Sequence, residues 1–303
     1  MSRLRFVDLV TLIYLGFVTL ILLGAQQSAS RYWVGWLALH LALAAGILWL
    51  NRKPPNRFFD WIRELYCFPL LLLLYRESES LNHAIFTQTL DPWFLQHELL
   101  WFGIQPSFAF VEWIPNTFFA ELLYAAYFSF YLMILGMGLW LIKRDRPAAH
   151  RFLGTLAAVF YSCYAMFILL PVVGPRILDL GGLSVEVLTS LELTTVKPMP
   201  ASSQAGPFAH LMAFLYTWFE GQGGAFPSSH VLIACLVLRE AFRQKLRIRW
   251  IQCLAVVLLC LGTVYGRYHY LIDVIAGLLL ACPLSAVAEW AQNQMDKRAQ
   301  PTR

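Results

Sequence analysis

Charge is scarce in this chain. Only 14% of its 303 residues are Asp, Glu, Lys or Arg, while 59% are hydrophobic. That deficit excludes an ordinary soluble domain, where about a quarter of the residues are charged, and points to a multi-span membrane protein. Paired cysteines are lacking too. Cys67, Cys163, Cys235, Cys253, Cys260 and Cys282 all lie inside apolar runs with no C-x-x-C spacing. This argues against a disulfide framework or a cysteine metal site, and the six read as small apolar residues. No cleavable leader is evident, since the first apolar run is long and lacks a small-residue cleavage site. Internal repeats, low-complexity tracts and a linker to a second folded domain are also missing. The formal net charge is +5, but the basic residues sit in short loops between apolar runs, where they set topology, so nucleic acid is not an implied partner.

What is present is a series of eight apolar stretches, at about 7–25, 32–50, 59–76, 117–142, 152–172, 228–244, 250–268 and 269–290. They predict an all-α, polytopic membrane bundle of about eight transmembrane helices. The third stretch is interrupted by Arg63, Glu64 and Pro69, and the sixth is short. With the N-terminus cytoplasmic, Lys and Arg gather on the inner loops, and only Arg31, Arg76, Arg176, Lys197 and Arg267 fall outside. Both termini are then cytoplasmic. Six spans would preserve this as well as eight. Two outer segments are long, about 77–116 and 173–227, and loops of that length usually carry structure or function. Within the second, 207–219 reads equally as an interfacial helix or as a lid packed over the bundle.

This topology brings chemistry to one membrane face. His230 opens the sixth span from outside, His269 and Asp273 lie between the seventh and eighth, and Arg176 follows the fifth. His269 and Asp273 are four residues apart and share a helix face. A carboxylate can hold one imidazole nitrogen while the other attacks phosphorus. His230 can protonate a poor alkoxide leaving group. Arg176 and Arg267 are the cations nearest to hand for phosphate oxygens. Ser228 and Ser229, at a helix start, add hydroxyls and backbone N–H groups suited to an anion. The scheme requires no metal or other cofactor. Asp273 reads alternatively as a plain helix cap. His40, His83, His97, His150 and His210 carry no motif and read as structural or solvated.

Pro227-Ser228-Ser229-His230 resembles the P-S-x-H motif of the type 2 phosphatidic acid phosphatase superfamily, and His269-Tyr270-Leu271-Ile272-Asp273 resembles its H-x-x-x-D motif. The wording around them, Ala225 to His230 and Tyr268 to Gly277, is most similar to the branch of inositol phosphorylceramide synthases. Pro171 to Arg176 resembles the proline-rich segment preceding the active site there. The resemblance spans roughly 117–290. It implies a six-helix catalytic core with a metal-independent site, in which His269 is the nucleophile, Asp273 its orienter and His230 the acid. Two departures are visible. Thr263 stands where the phosphatases carry an Arg six residues before the nucleophile, and no Lys completes the usual phosphate motif before Arg176.

The expectation is an integrated unit with N-terminal transmembrane helices over 1–76 and a catalytic membrane domain over 77–303. Its substrate would be a lipid phosphate or phospholipid at the extracytoplasmic leaflet of the bilayer. The acceptor would be water, a polyol or another hydroxyl. The alternative is a non-catalytic membrane protein that binds or transports lipid phosphates.

Overall fold

Four helix starts in this chain are capped by Asn, Asp or Ser side chains. Asn56, Asn116, Asp145 and Ser228 each accept a backbone N–H from the first turn of the helix that follows, satisfying donors that have no partner within the helix. The computed structural model describes residues 4–29, 32–54, 56–178, 183, 185–191, 193–194, 198–218 and 223–299. Arg3, Arg31, Lys197, Phe219 and Arg303, which entered the topology and lid readings, lie outside the described residues.

The chain runs through α1 (Phe6–Ala29), α2 (Trp33–Arg52), α3 (Arg57–Leu65), α4 (Cys67–Ser80), α5 (Asp91–Phe102), α6 (Pro106–Trp113) and α7 (Thr117–Arg144). It continues through α8 (Arg146–Leu169), α9 (Val185–Ser190), α10 (Pro207–Trp218), α11 (Ser229–Arg243), α12 (Arg249–Tyr265) and α13 (Leu271–Ala299). Among the described residues there is no strand. Five helices are long and apolar enough to cross a membrane: α1, α2, α7, α8 and α13; α12 is apolar but shorter. The fold is an all-helical, polytopic membrane bundle.

All eight apolar stretches fall on helices, but not all as single rods. The third divides at Tyr66 into α3 and α4. Arg63 folds back onto the carbonyls of Leu50 (2.6 Å) and Lys53 (2.7 Å). Glu64, fully buried, faces Arg146 at 3.5 Å. Pro69 falls in the first turn of α4, where a missing N–H costs nothing. The 15-residue α11 rises only about 22 Å, less than the ~30 Å hydrocarbon thickness.

Helix α8 is the most buried of the spans. Helices α1, α4 and α13 pack on it, α12 runs along α7, and α11 runs along α13. The last pairing is close because residue 277 is Gly: a Cβ there would lie 2.8 Å from the Ser228 carbonyl oxygen. The start of α11 is thereby pressed against the first turns of α13.

Candidate active site

Three chain segments meet at one end of the bundle. Helix α12 stops where Gly266 and Arg267 turn away. The carbonyl of Thr263 then accepts the N–H of both Tyr268 (2.9 Å) and His269 (3.1 Å). Arg267 has φ 58°, a left-handed conformation that costs a non-glycine residue on the order of 1–2 kcal/mol. Thr263 thus serves as a backbone anchor for the loop bearing His269.

The second segment, 223–228, is laced to the first and to a third. The N–H of Ser228 donates to the Asp273 carbonyl (3.1 Å), and that of Ala225 to the Val172 carbonyl (3.0 Å). The third segment, Pro171 to Arg176, passes close because residue 174 is Gly. It has φ +89°, and a Cβ would lie 2.9 Å from the Tyr268 carbonyl oxygen.

Within this knot, His269 is buried, with Nδ1 2.9 Å from the carbonyl oxygen of Ala225 and 3.4 Å from Asp273 Oδ2. A carbonyl only accepts, so Nδ1 carries the proton, and in a neutral ring the lone pair is on Nε2. The nearer acceptor is a backbone group that no motif displays. Asp273 is fully buried and also accepts the Tyr270 N–H at 2.8 Å. It therefore caps α13 and faces the His269 ring at once, joining the two sequence readings. Its Oδ1 has no hydrogen-bond partner among the described residues.

The His230 ring lies 5.8 Å from the His269 ring, centre to centre, at 62°. Tyr127 places its hydroxyl 3.1 Å from His230 Nε2, and the Phe130 ring packs 4.5 Å away. Between the two histidines is a cavity of about 20 Å³ walled by Tyr75, Tyr127, Tyr216, Gly224, Ser229 and Tyr268. That is room for about one water molecule.

The remaining predicted residues separate into those at the cavity and those behind it. Ser229 lines it, whereas Ser228 is buried as the cap of α11, its hydroxyl accepting from Val231 N–H at 3.4 Å. Arg176 lies just behind, its guanidinium over the rings of Tyr216 and Tyr268 at 5.0 and 4.7 Å, with Nη1 donating to Gly266 carbonyl at 3.0 Å. Arg267 points elsewhere, over Phe108 (5.0 Å) and 3.9 Å from Glu112. Burial lowers its pKa, with Glu112 working against that shift. The structure does not bring Arg267 to the histidines.

Two acids to which the sequence alone gives no site role hold the knot together. Asp91, fully buried, accepts the N–H groups of Val173 and Gly174 (both 2.9 Å) and the hydroxyl of Tyr270 (2.8 Å). It ties the segment bearing Arg176 to the residue beside His269. Glu98 accepts the Ile272 N–H (3.1 Å) at the start of α13, and burial raises its pKa to about 8. A solitary Asp or Glu in an aromatic, apolar stretch was their only signal.

The segment expected as interfacial helix or lid forms α10. Ala209 and Met212 are buried against Tyr124, Tyr127 and Tyr268, while Phe208 and Phe214 are exposed. Helix α10 roofs the cavity through Tyr216. His40, read as motif-free, is buried and paired with Glu77 at 2.5 Å.

Residues 94–287 match the family model described as the PAP2 superfamily, the superfamily that the two histidine motifs resemble. No curated protein and no solved structure matches the chain.

Proposed function

The chain belongs to the PAP2 superfamily, and on that premise we propose that it is a membrane lipid phosphatase or phospholipid headgroup phosphotransferase working through a phosphohistidine. The observation that carries this reading is the pairing of a Nδ1-protonated, backbone-held His269 with a second imidazole 5.8 Å away.

In the reaction, His269 Nε2 attacks phosphorus. The N–P bond forms as the P–O bond to the lipid breaks, and His230 gives its proton to the departing oxygen. The Ala225 carbonyl and Asp273 stabilise the imidazolium character that develops on His269. Arg176, with N–H groups at the start of α11 and Ser229, would meet the phosphate oxygens. Water or another hydroxyl then loses its proton to His230 and attacks the phosphohistidine, restoring the imidazole. None of these steps calls on a metal ion. The wording of the two motifs favours the branch resembling inositol phosphorylceramide synthases, so a hydroxyl acceptor other than water belongs to the proposal. The distribution of Lys and Arg favours cytoplasmic termini and an extracytoplasmic site.

The test uses the purified protein in lipid micelles with a panel of lipid phosphates and phosphodiesters, without added metal, with products read by mass spectrometry. The wild type releases phosphate or phosphorylated headgroup, and His269→Ala brings release to background. His230→Ala slows it by roughly 10²–10⁴-fold, the usual worth of a general acid. Added polyols separate transfer from hydrolysis. Sealed vesicles of either orientation, given substrate from outside, report the face. Background traces from wild type and variant alike across the panel would return the chain to the non-catalytic, lipid-phosphate-binding reading.

A further inference from the structure

A second cavity, of about 300 Å³, adjoins the first. Leu71 and Leu72 of α4, Ile134 and Leu135 of α7, and Phe160 and Tyr164 of α8 form its walls. Tyr164 spends its hydroxyl on the Leu71 carbonyl (3.0 Å), so this wall offers the interior little polarity. Three residues line both cavities: Tyr75, Ser229 and His230. His269 lines only the first. The slot therefore begins at the acid and not at the nucleophile.

Its dimensions follow from the helices. Phe130 packs on His230, and eight residues further along α7 the ring of Phe68 fills the space over Gly138, where a Cβ would lie 2.5 Å from Phe68 Cζ. Eight helical residues rise about 12 Å, most of the ~15 Å that one leaflet contributes to the hydrocarbon core. Leu72 (55% exposed) and Leu135 (44%) stand at the rim and open it sideways. Phe68 to Tyr75 precede the family-matched segment, which begins at residue 94.

We propose that this slot seats one hydrocarbon tail of the lipid phosphate whose phosphorus lies at His269, and that Phe68 sets the length of tail that fits. The inference rests on the reading of the site as a lipid phosphoryl-transfer centre. Displacement at phosphorus places the leaving oxygen roughly opposite the attacking nitrogen. That oxygen belongs to the lipid and takes its proton from His230. The tail must then extend from the His230 side, which is where the slot opens. A tail arriving from the bilayer moves from one apolar medium to another, so little hydrophobic free energy is gained. The slot selects by shape and holds the leaving oxygen toward the acid.

The test compares turnover of phosphatidates with short and long tails by the full chain in micelles. Leu72→Trp, at an exposed rim position that accommodates the larger ring, fills the mouth and lowers the long-to-short ratio of kcat/KM at least tenfold. Phe68→Ala opens the inner end and shifts the preferred tail toward greater length. Independently, His269→Ala is irradiated with a phosphatidate carrying a photoreactive group in mid-tail. Crosslinks are expected on 68–75 and 130–135, and are lost when Leu72→Trp is added. Unchanged ratios, or crosslinks spread evenly over exposed faces such as Ile251 and Leu254 of α12, would overturn the slot. If the wild type turns over no lipid phosphate or phosphodiester of the panel, the enzyme reading fails, and the crosslinking result alone decides whether the slot holds a tail.

Discussion

A buried carboxyl beside a helix start feels opposing pulls, and Glu98 shows which prevails. The N–H groups of Leu271 and Ile272 favour its anion, but burial, with the neighbouring Asp273 charge, outweighs them and raises the pKa to about 8. The sign for stability follows. Unfolded, the group titrates near the ordinary 4.5; folded, it keeps its proton to about pH 8. Between those values the folded state binds more protons, so stability falls as pH rises and levels off above 8. Glu98→Gln keeps an acceptor for Ile272 N–H and removes the ionisation. The expected outcome is that the Tm of wild type drops relative to Glu98→Gln between pH 5 and 8 in micelles. One pKa unit is about 1.4 kcal/mol, so a third of the shift is measurable. A wild type that gains on the variant with rising pH would mean that the N–H groups prevail. That His230, His269, Asp273 and Arg176 gather at one end of the bundle could be read from the chain, because the apolar stretches set them at span ends on one side. Glu98 and Asp91 could not, since their partners lie 174 and up to 179 positions away. The Ala225 carbonyl was hidden for another reason: a backbone acceptor has no residue type to betray it.

At the scale of elements, α10 is fastened to the bundle by its first turn. The N–H groups of Phe208 and Ala209, orphaned at the start of α10, both donate to Glu121 of α7 at 2.8 Å. An acidic side chain there also meets the positive end of the helix. Gly206 permits the approach, since a Cβ would fall 2.1 Å from the Glu121 carboxyl carbon. Apolar periodicity left 207–219 open between interface and lid because both bury one face. The contact that fastens its start comes from a helix some 87 residues earlier. Glu121→Ala should loosen α10 by about 1 kcal/mol, the usual worth of a cap, and raise amide exchange across 208–217. Because α10 carries Tyr216 onto Arg176, KM for lipid phosphate should rise more than kcat falls. Exchange equal to that of wild type would assign the anchoring to Ala209 and Met212 instead. The break of the third stretch into α3 and α4 has a similar origin. Arg63, Glu64 and Pro69 marked the place, but the carbonyls that receive Arg63 belong to the end of α2.

At the scale of the whole molecule, the N-terminal helices and the family-matched helices share one core. Tyr14 of α1 stacks on Tyr161 of α8 at 4.7 Å, and Thr11 reaches the Tyr161 hydroxyl at 3.1 Å. The expected boundary at 76/77 falls inside α4, which carries Tyr75 to the site and Glu77 to His40. That pair is 2% and 0% exposed, and Thr19 adds a 2.8 Å contact to His40 Nδ1. Two polar groups in the apolar interior are tolerable only together. Removing one leaves the other desolvated without compensation, at about 3–5 kcal/mol, whereas an apolar pair of similar volume is often neutral or better. His40→Leu and Glu77→Leu should each lower the Tm in micelles, and the double variant should recover most of the loss. Strictly additive losses would mean that the two side chains act independently. Recovery of Tm together with unchanged tail-length preference would show that the pair holds α4 in place without setting its register. Recovery of Tm with altered preference would show that this buried contact also fixes where Phe68 closes the slot.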